Sequence, residues 1–120
     1  MTVKYDIDSE HNLVFTTVAD VIDGEQLHNH QMKLSKDTNF KPDMLELMDC
    51  TALQDVKLTT IKIPQFVRES PWQQSAKRAV IVSNPRVFSF LRFFQVFMGS
   101  NHGKINIFHD LKSAKDWLQV

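Results

Sequence analysis

Two residues of this sequence could together carry out covalent catalysis: its only cysteine, Cys50, and the histidine His109. Both are expected at the carboxyl ends of predicted strands, the edge where open α/β sheets usually bind ligands. A thiol activated by an imidazole is a nucleophile. In sequential strand order, however, the apolar strand at residues 79–82 lies between them and separates them by about 9.5 Å. The pattern therefore favours a structural cysteine, and we predict no catalytic residue and no enzymatic activity.

The other candidates for chemistry are carboxylates and histidines. Asp49 and Asp110 fall at the same edge, but acid and base roles require two carboxyl groups in different environments. Asp110 is expected instead to cap the last helix. His28 and His30 are two positions apart, so on a helix their side chains diverge by about 200° and cannot share a metal ion. We therefore predict neither a metal site nor a cofactor.

Composition places the chain among ordinary globular proteins. Its 120 residues are 42% hydrophobic and 23% charged, which suits one domain spanning residues 1–120. The 14 basic and 14 acidic residues balance, so the positive excess that drives nucleic-acid binding is missing. A lone cysteine forms no internal disulfide, and no apolar run has the length of a signal peptide or a transmembrane segment. These features predict a cytoplasmic protein that binds no nucleic acid.

Alternating strand-like and helix-like segments predict an α/β fold in the order ββαβαβαβα. Strands are expected at residues 3–7, 13–19, 44–48, 79–82 and 105–108, and helices at residues 24–36, 59–70, 85–98 and 111–118. Asp23 and Gln26 form a capping box before the first helix. Pro64 bends or delays the second helix unless it lies in the first turn. Because the first two strands form a hairpin, we predict a mixed five-stranded sheet with one antiparallel strand, the others parallel, and four helices.

The helix at residues 85–98 carries more apolar surface than one core-facing side can use. At about 100° per residue, a conventional core face would contain Val87, Phe90, Leu91, Phe94, Phe97 and Met98. Phe88 and Val96 then project among polar neighbours that include Arg92, while Phe93 lies at the margin of the core face. Coverage by neighbouring loops would explain this surface, as would an interface or a ligand groove. We predict an interface or ligand-binding site at Phe88, Arg92, Phe93 and Val96.

An ordered set of motifs extends over nearly the whole chain. It comprises Asp23-Gly24, the segments LELMDC (45–50), KRAVIVS (77–83) and IFHDLKSAKDWL (107–118), and the aromatic, arginine-bearing helix. In these motifs the chain resembles the SpoIIAA-like proteins, bacterial single-domain relatives of STAS domains. The resemblance implies a mixed sheet with strands in roughly sequential order, a layout shared by lipid-carrying CRAL-TRIO domains. Fold alone does not fix activity.

The same resemblance directs attention to one segment. Anti-sigma antagonists of the STAS type carry a phosphorylated serine in an Asp-Ser-Ser-Gly-like turn at the start of the helix after the third strand. This sequence has DVKLTT (55–60) there, without the glycine and the paired serines. Thr59 and Thr60 are the nearby hydroxyls and therefore the candidate phosphosite.

Together these observations predict a non-catalytic interaction or regulatory module of the STAS-like type, homodimeric through helix 85–98. The alternative is a protein that binds a lipid-like or other apolar small molecule at the sheet edge under that helix. A small enzyme using Cys50, Asp49 or His109 ranks last.

Overall fold

Five strands form one sheet whose spatial order, β1-β2-β3-β4-β5, is also their order along the chain. The computed structural model describes residues 2–58, 62–98 and 104–120. The strands are β1 (Val3–Asp8), β2 (Leu13–Asp23), β3 (Leu45–Lys57), β4 (Lys77–Val82) and β5 (Lys104–Phe108), and the helices are α1 (Gly24–Ser35), α2 (Ile63–Arg68), α3 (Pro85–Met98) and α4 (Leu111–Leu118). β1 pairs with β2 antiparallel and every other pair is parallel, which confirms the predicted fold class.

Helices cover both faces of the sheet unequally. α1 and α3 pack on one face, with α2 beside α1, whereas α4 alone packs against β3, β4 and β5 on the other. The two sides of β4 show this division, because Val80 and Val82 join the core under α3 while Ala79 and Ile81 join the core under α4. The uninterrupted apolar run of this strand therefore reflects burial on both faces.

Both predicted caps are present. The Asp23 side chain accepts a hydrogen bond from the Gln26 backbone amide at 2.9 Å, and the Gln26 side chain accepts one from the Asp23 amide at 2.9 Å. Asp110 accepts from the Ser113 amide at 2.7 Å and begins α4. These bonds satisfy amides that have no partner within the first turn of a helix.

Two strands are longer than the sequence pattern predicts. β2 continues to Asp23 rather than ending near Ala19, and β3 continues to Lys57 rather than ending at Met48. Beyond the edge of β4 these extensions pair with each other, with register shifts around Asp20, whose φ is 62°. The shifts break the strict alternation of apolar and polar residues by which strands are recognised, and Cys50 consequently lies within β3 rather than at its end.

Among the four described helices, none combines the length and the apolar character needed to cross a membrane.

The second helix is shorter than the sequence predicts. It begins at Ile63, so Pro64 occupies the first turn, where its missing amide costs no intrahelical hydrogen bond.

Candidate functional site

An apolar cavity of about 80 Å³ lies between the sheet and helices α1, α2 and α3. The sheet contributes side chains from all five strands, including Val18, Leu53, Val80 and Ile105. The helices contribute Leu27 and His30 from α1, Phe66 from α2, and Phe90, Leu91 and Phe94 from α3. His30 and Arg78 are the polar members of its lining. The aromatic helix α3 therefore forms part of the wall of an almost entirely apolar cavity, on the side opposite the sheet.

A buried polar network borders this cavity. Glu46, only 1% exposed, accepts hydrogen bonds from the Arg78 guanidinium and from the Thr16 hydroxyl, each at 2.9 Å. The Arg78 guanidinium carbon also lies 5.0 Å from the centre of the Trp72 ring. Charges removed from water are costly unless they are paired. Loss of either partner of this ion pair would therefore strongly destabilise the fold.

His30 lies beside this network, at one end of the cavity. Its ring meets the Tyr5 ring edge-on with centroids 5.7 Å apart. Burial lowers the pKa of His30; the charge of Arg78 contributes in the same direction, and that of Glu46 opposes it. The neutral imidazole is thus the favoured form at the junction between the apolar cavity and the surface.

Two surface grooves flank α1, and each shares lining residues with the cavity. The first, named here the β1 groove, lies between β1 and α1, has a volume of about 450 Å³, and shares Val3 and His30 with the cavity. The second, the α2 groove, lies between α1 and α2, has a volume of about 240 Å³, and shares Leu58 and Phe66. The cavity therefore adjoins the surface on both sides of α1.

The burial of the α3 side chains only partly matches the prediction from helical periodicity. Val87 and Phe94 are buried and Phe90 and Leu91 half-buried, as expected of the core face; the side chains of Phe97 and Met98 lie outside those described.

Phe88 is the exception among the side chains predicted to project from α3. It is half-buried against the core, with its ring 5.3 Å from the ring of His109, because the segment after β5 passes beside the start of α3. The prediction that Phe88 projects outward was wrong. Phe93, which the sequence placed at the margin, is 49% exposed, and Val96 is 78% exposed, near the exposed Arg92.

The structure argues against Cys50 as a nucleophile. Its side chain is buried, and burial raises the pKa of the thiol to about 12, with smaller contributions from Glu46 and Asp49. Since the thiolate is the reactive form, such a cysteine is inert at neutral pH. β4 separates the strand of Cys50 from the strand that precedes His109, as the strand order predicted.

The remaining candidates have local structural partners. Asp49 accepts hydrogen bonds from the Thr51 amide at 2.9 Å and its hydroxyl at 2.7 Å. The bonds from Ser113 lower the pKa of the Asp110 carboxyl, as expected of a helix cap. His28 pairs at 2.8 Å with Glu69, the residue that follows α2, whereas His30 contacts Tyr5, so the two histidines diverge as predicted.

One cluster was missed by sequence reasoning. Asp8, Glu10 and His11, all exposed in the β1–β2 turn, bring three potential metal-ligand atoms within 4.8 Å of one another. His11 already pairs with Asp8 at 2.7 Å, which accounts for the geometry without an ion. The spacing D-x-E-H in a short turn is the sequence signal that could have indicated this cluster.

The candidate phosphosite, Thr59 and Thr60, lies outside the described residues.

Comparison of the sequence with protein-family models and with curated proteins finds no match. Among solved structures, the chain is similar to the crystal structure of an uncharacterized DUF3478-family protein with a SpoIIAA-like fold from Shewanella loihica PV-4. The two share 16% sequence identity at a TM-score of 0.63, over 97% of this chain and 93% of the other. The likeness confirms the fold that the sequence motifs indicated.

Proposed function

We propose that this chain, with its SpoIIAA-like fold, is a non-catalytic binding module whose ligand is a small apolar molecule held under α3. The observation that carries the proposal is the cavity: side chains from five strands and three helices line a space with almost no polar surface. Ligand sites of small molecules are typically concave and mostly apolar, with a few polar groups that fix orientation. The cavity lies under the aromatic helix, as the alternative function inferred from sequence expects, but over the face of the sheet rather than at its edge.

The volume of the cavity limits the size of the ligand that it can hold. A designed apolar cavity of about 150 Å³ binds benzene or xenon, so about 80 Å³ suits xenon or a short alkyl segment. A longer ligand must displace a helix or extend into one of the grooves beside α1. The ligand class is therefore a narrow hydrocarbon chain rather than a bulky ring system.

The proposal predicts a chain-length dependence of binding. Each methylene buried contributes about 0.8 kcal/mol, which is about a fourfold gain in affinity. For a series of straight-chain alcohols we expect affinity to rise by about this factor per carbon. Methyl NMR resonances of Val18, Leu53, Val80 and Ile105 should shift with the alcohols and also under xenon pressure.

Matched variants locate the binding. Val80→Leu adds a methylene to the lining and should weaken xenon binding while leaving the protein folded. Ile81→Val, on the opposite face of the same strand, should leave xenon and alcohol binding unchanged at a cost of about 0.5–1.5 kcal/mol in stability. Methyl shifts confined to the surface of α3, or none at all with either probe, would contradict the proposal.

A second candidate function is self-association through the outer surface of α3, favoured by the exposure of Phe93 and Val96 beside Arg92. Apolar side chains flanking an arginine are typical of interface anchors. The occupant we propose is a second copy of this chain, because the formal net charge of +0 gives two copies no net electrostatic repulsion. A two-fold axis would place the same patch on both partners.

Self-association predicts a dimer mass that depends on protein concentration. Phe93→Asp combined with Val96→Asp should leave the fold intact and shift the protein to monomer by at least tenfold in dissociation constant. Native mass spectrometry of protein isolated from its own host measures subunit number and retained ligand together. As a control, Lys112→Asp on α4 should leave the mass unchanged; a wild type that is monomeric at every concentration rules this function out.

A further inference from the structure

We propose that β1 pairs with the β1 strand of a second copy of this chain, antiparallel and centred on Tyr5, so that two five-stranded sheets join into one. The inference starts from the position of β1 at an edge of the sheet. An edge strand presents a row of backbone amides and carbonyls that can pair with another strand. This contact is independent of the apolar-binding function and is an alternative to the α3 surface as the interface between two copies.

Alternate residues of β1 direct their backbone groups away from β2. The Thr2 carbonyl accepts a hydrogen bond from the Ala19 amide at 2.8 Å, and in an antiparallel ladder every second residue repeats this arrangement. The amides and carbonyls of Val3, Tyr5 and Ile7 therefore point outward from the sheet. In the part of the chain that the structure describes, these outward-facing groups form no hydrogen bond with another residue. A partner strand would satisfy them.

The opposite edge of the sheet is blocked by side chains. The Lys104 amide donates to the residue before β4 at 2.7 Å, so the backbone groups of Ile105 and Ile107 face away from β4. The Gln95 side-chain amide donates to the Ile105 carbonyl at 2.8 Å, and the Asn106 side-chain oxygen accepts from the Ile107 amide at 3.0 Å. These bonds occupy groups that an added strand would need. Of the two edges of the described sheet, β1 is therefore the one suited to pairing.

The side chains of β1 select the partner. Lys4 and Asp6 are exposed and alternate with Tyr5, which packs against α1, so both lie on the opposite face of the sheet. Neither forms an ion pair with a described residue. In antiparallel pairing centred on Tyr5, Lys4 of each copy lies opposite Asp6 of the other, and Val3 lies opposite Ile7. The charged pairs fall at positions without direct hydrogen bonds, where opposing side chains approach most closely.

The neighbouring registers bring like charges together. Opposing residues must both direct their backbone groups across the contact, so the nearest alternatives are centred on Lys4 or on Asp6. The first would place two lysines opposite each other and the second two aspartates, and like charges directly opposite are destabilising. Charges on an edge strand normally oppose pairing with other chains. In β1 their alternation leaves one favourable register for a second copy, and the two-fold axis closes the assembly at a dimer.

The test reverses the two charges singly and then together. Lys4→Glu would place carboxylates opposite each other and Asp6→Lys would place ammonium groups opposite each other. Each should weaken dimerisation by roughly tenfold, because both symmetry-related pairs change. The double variant, Lys4→Glu with Asp6→Lys, exchanges the charges and should restore the wild-type dissociation constant. A contact of one strand is small and suits weak association, so sedimentation equilibrium should extend to about 1 mM protein at low salt.

The controls separate this contact from the α3 surface. Lys112→Glu, the same charge reversal on α4, should leave the dissociation constant unchanged, as should Phe93→Asp combined with Val96→Asp. A dimer formed through α3 would respond to the Phe93 and Val96 changes and not to the reversals in β1. A wild type that stays monomeric throughout, single reversals without effect, or a double variant no tighter than the single ones would each overturn the inference.

Discussion

Replacing Arg78 by methionine should destabilise the protein by about 3–5 kcal/mol, because it leaves the Glu46 carboxylate buried without its partner. Glu46→Gln should have a similar cost from the other side, since the guanidinium, 8% exposed as part of Arg78, would then lose the carboxylate with which it forms an ion pair. Glutamine is chosen because its side-chain oxygen still accepts the Thr16 hydroxyl bond that Glu46 accepts at 2.9 Å. Urea denaturation of each variant measures the loss.

The double variant is the informative one. With Glu46→Gln and Arg78→Met together, neither charge remains, so the protein should lose much less stability than the sum of the two single changes. Strictly additive losses would mean that the two groups do not interact across β3 and β4. Lys112→Met, which removes a pair that α4 holds in solvent, is the control and should change stability little.

Phe94→Asp should unfold the protein, whereas Phe93→Asp should not. Phe94 is 6% exposed and packs with Ile63, Val67 and the ring of Phe66, so an aspartate there would place an unpaired charge in the core. The neighbouring Phe93 is 49% exposed. The two changes are identical in chemistry and adjacent in sequence, so burial is the variable that separates them.

Circular dichroism with thermal denaturation measures this contrast. We expect no cooperative transition for Phe94→Asp and a transition close to that of the wild type for Phe93→Asp. A stable Phe94→Asp variant would show that α3 does not pack on the sheet in solution. An unfolded Phe93→Asp variant would show that the Phe93 side chain is buried in solution.

The fold was predictable because its local signals agree with one another. The capping box at Asp23, the cap at Asp110 and the apolar run of residues 79–82 each depend on a few neighbouring residues, and each is present in the structure. The ends of β2 and β3 were not predictable, because the register shifts near Asp20 arise from pairing between distant segments.

The candidate site was less accessible from the sequence. Helical periodicity located the aromatic helix and its core face but could not show that the segment near His109 covers Phe88. The cavity and the β1 groove bring together residues from strands and helices far apart in the chain, so no local pattern marks them. His30 illustrates the limit: its spacing from His28 excluded a shared metal, but only the tertiary structure shows that it lines both the apolar cavity and the β1 groove.

The agreement between spatial and sequential strand order bears on how the chain assembles. Each strand after the first pairs with the strand that precedes it, so at every stage of synthesis the newest strand adds to an edge that already exists. The addition of β2 closes a hairpin and each later addition closes one crossover, and the entropy of closing a loop grows only slowly with its length. The pairing of each described strand therefore needs no later strand, although the face under α4 is covered only once β5 and α4 have been made. The topology is therefore suited to growth from the N-terminus as the chain emerges from the ribosome.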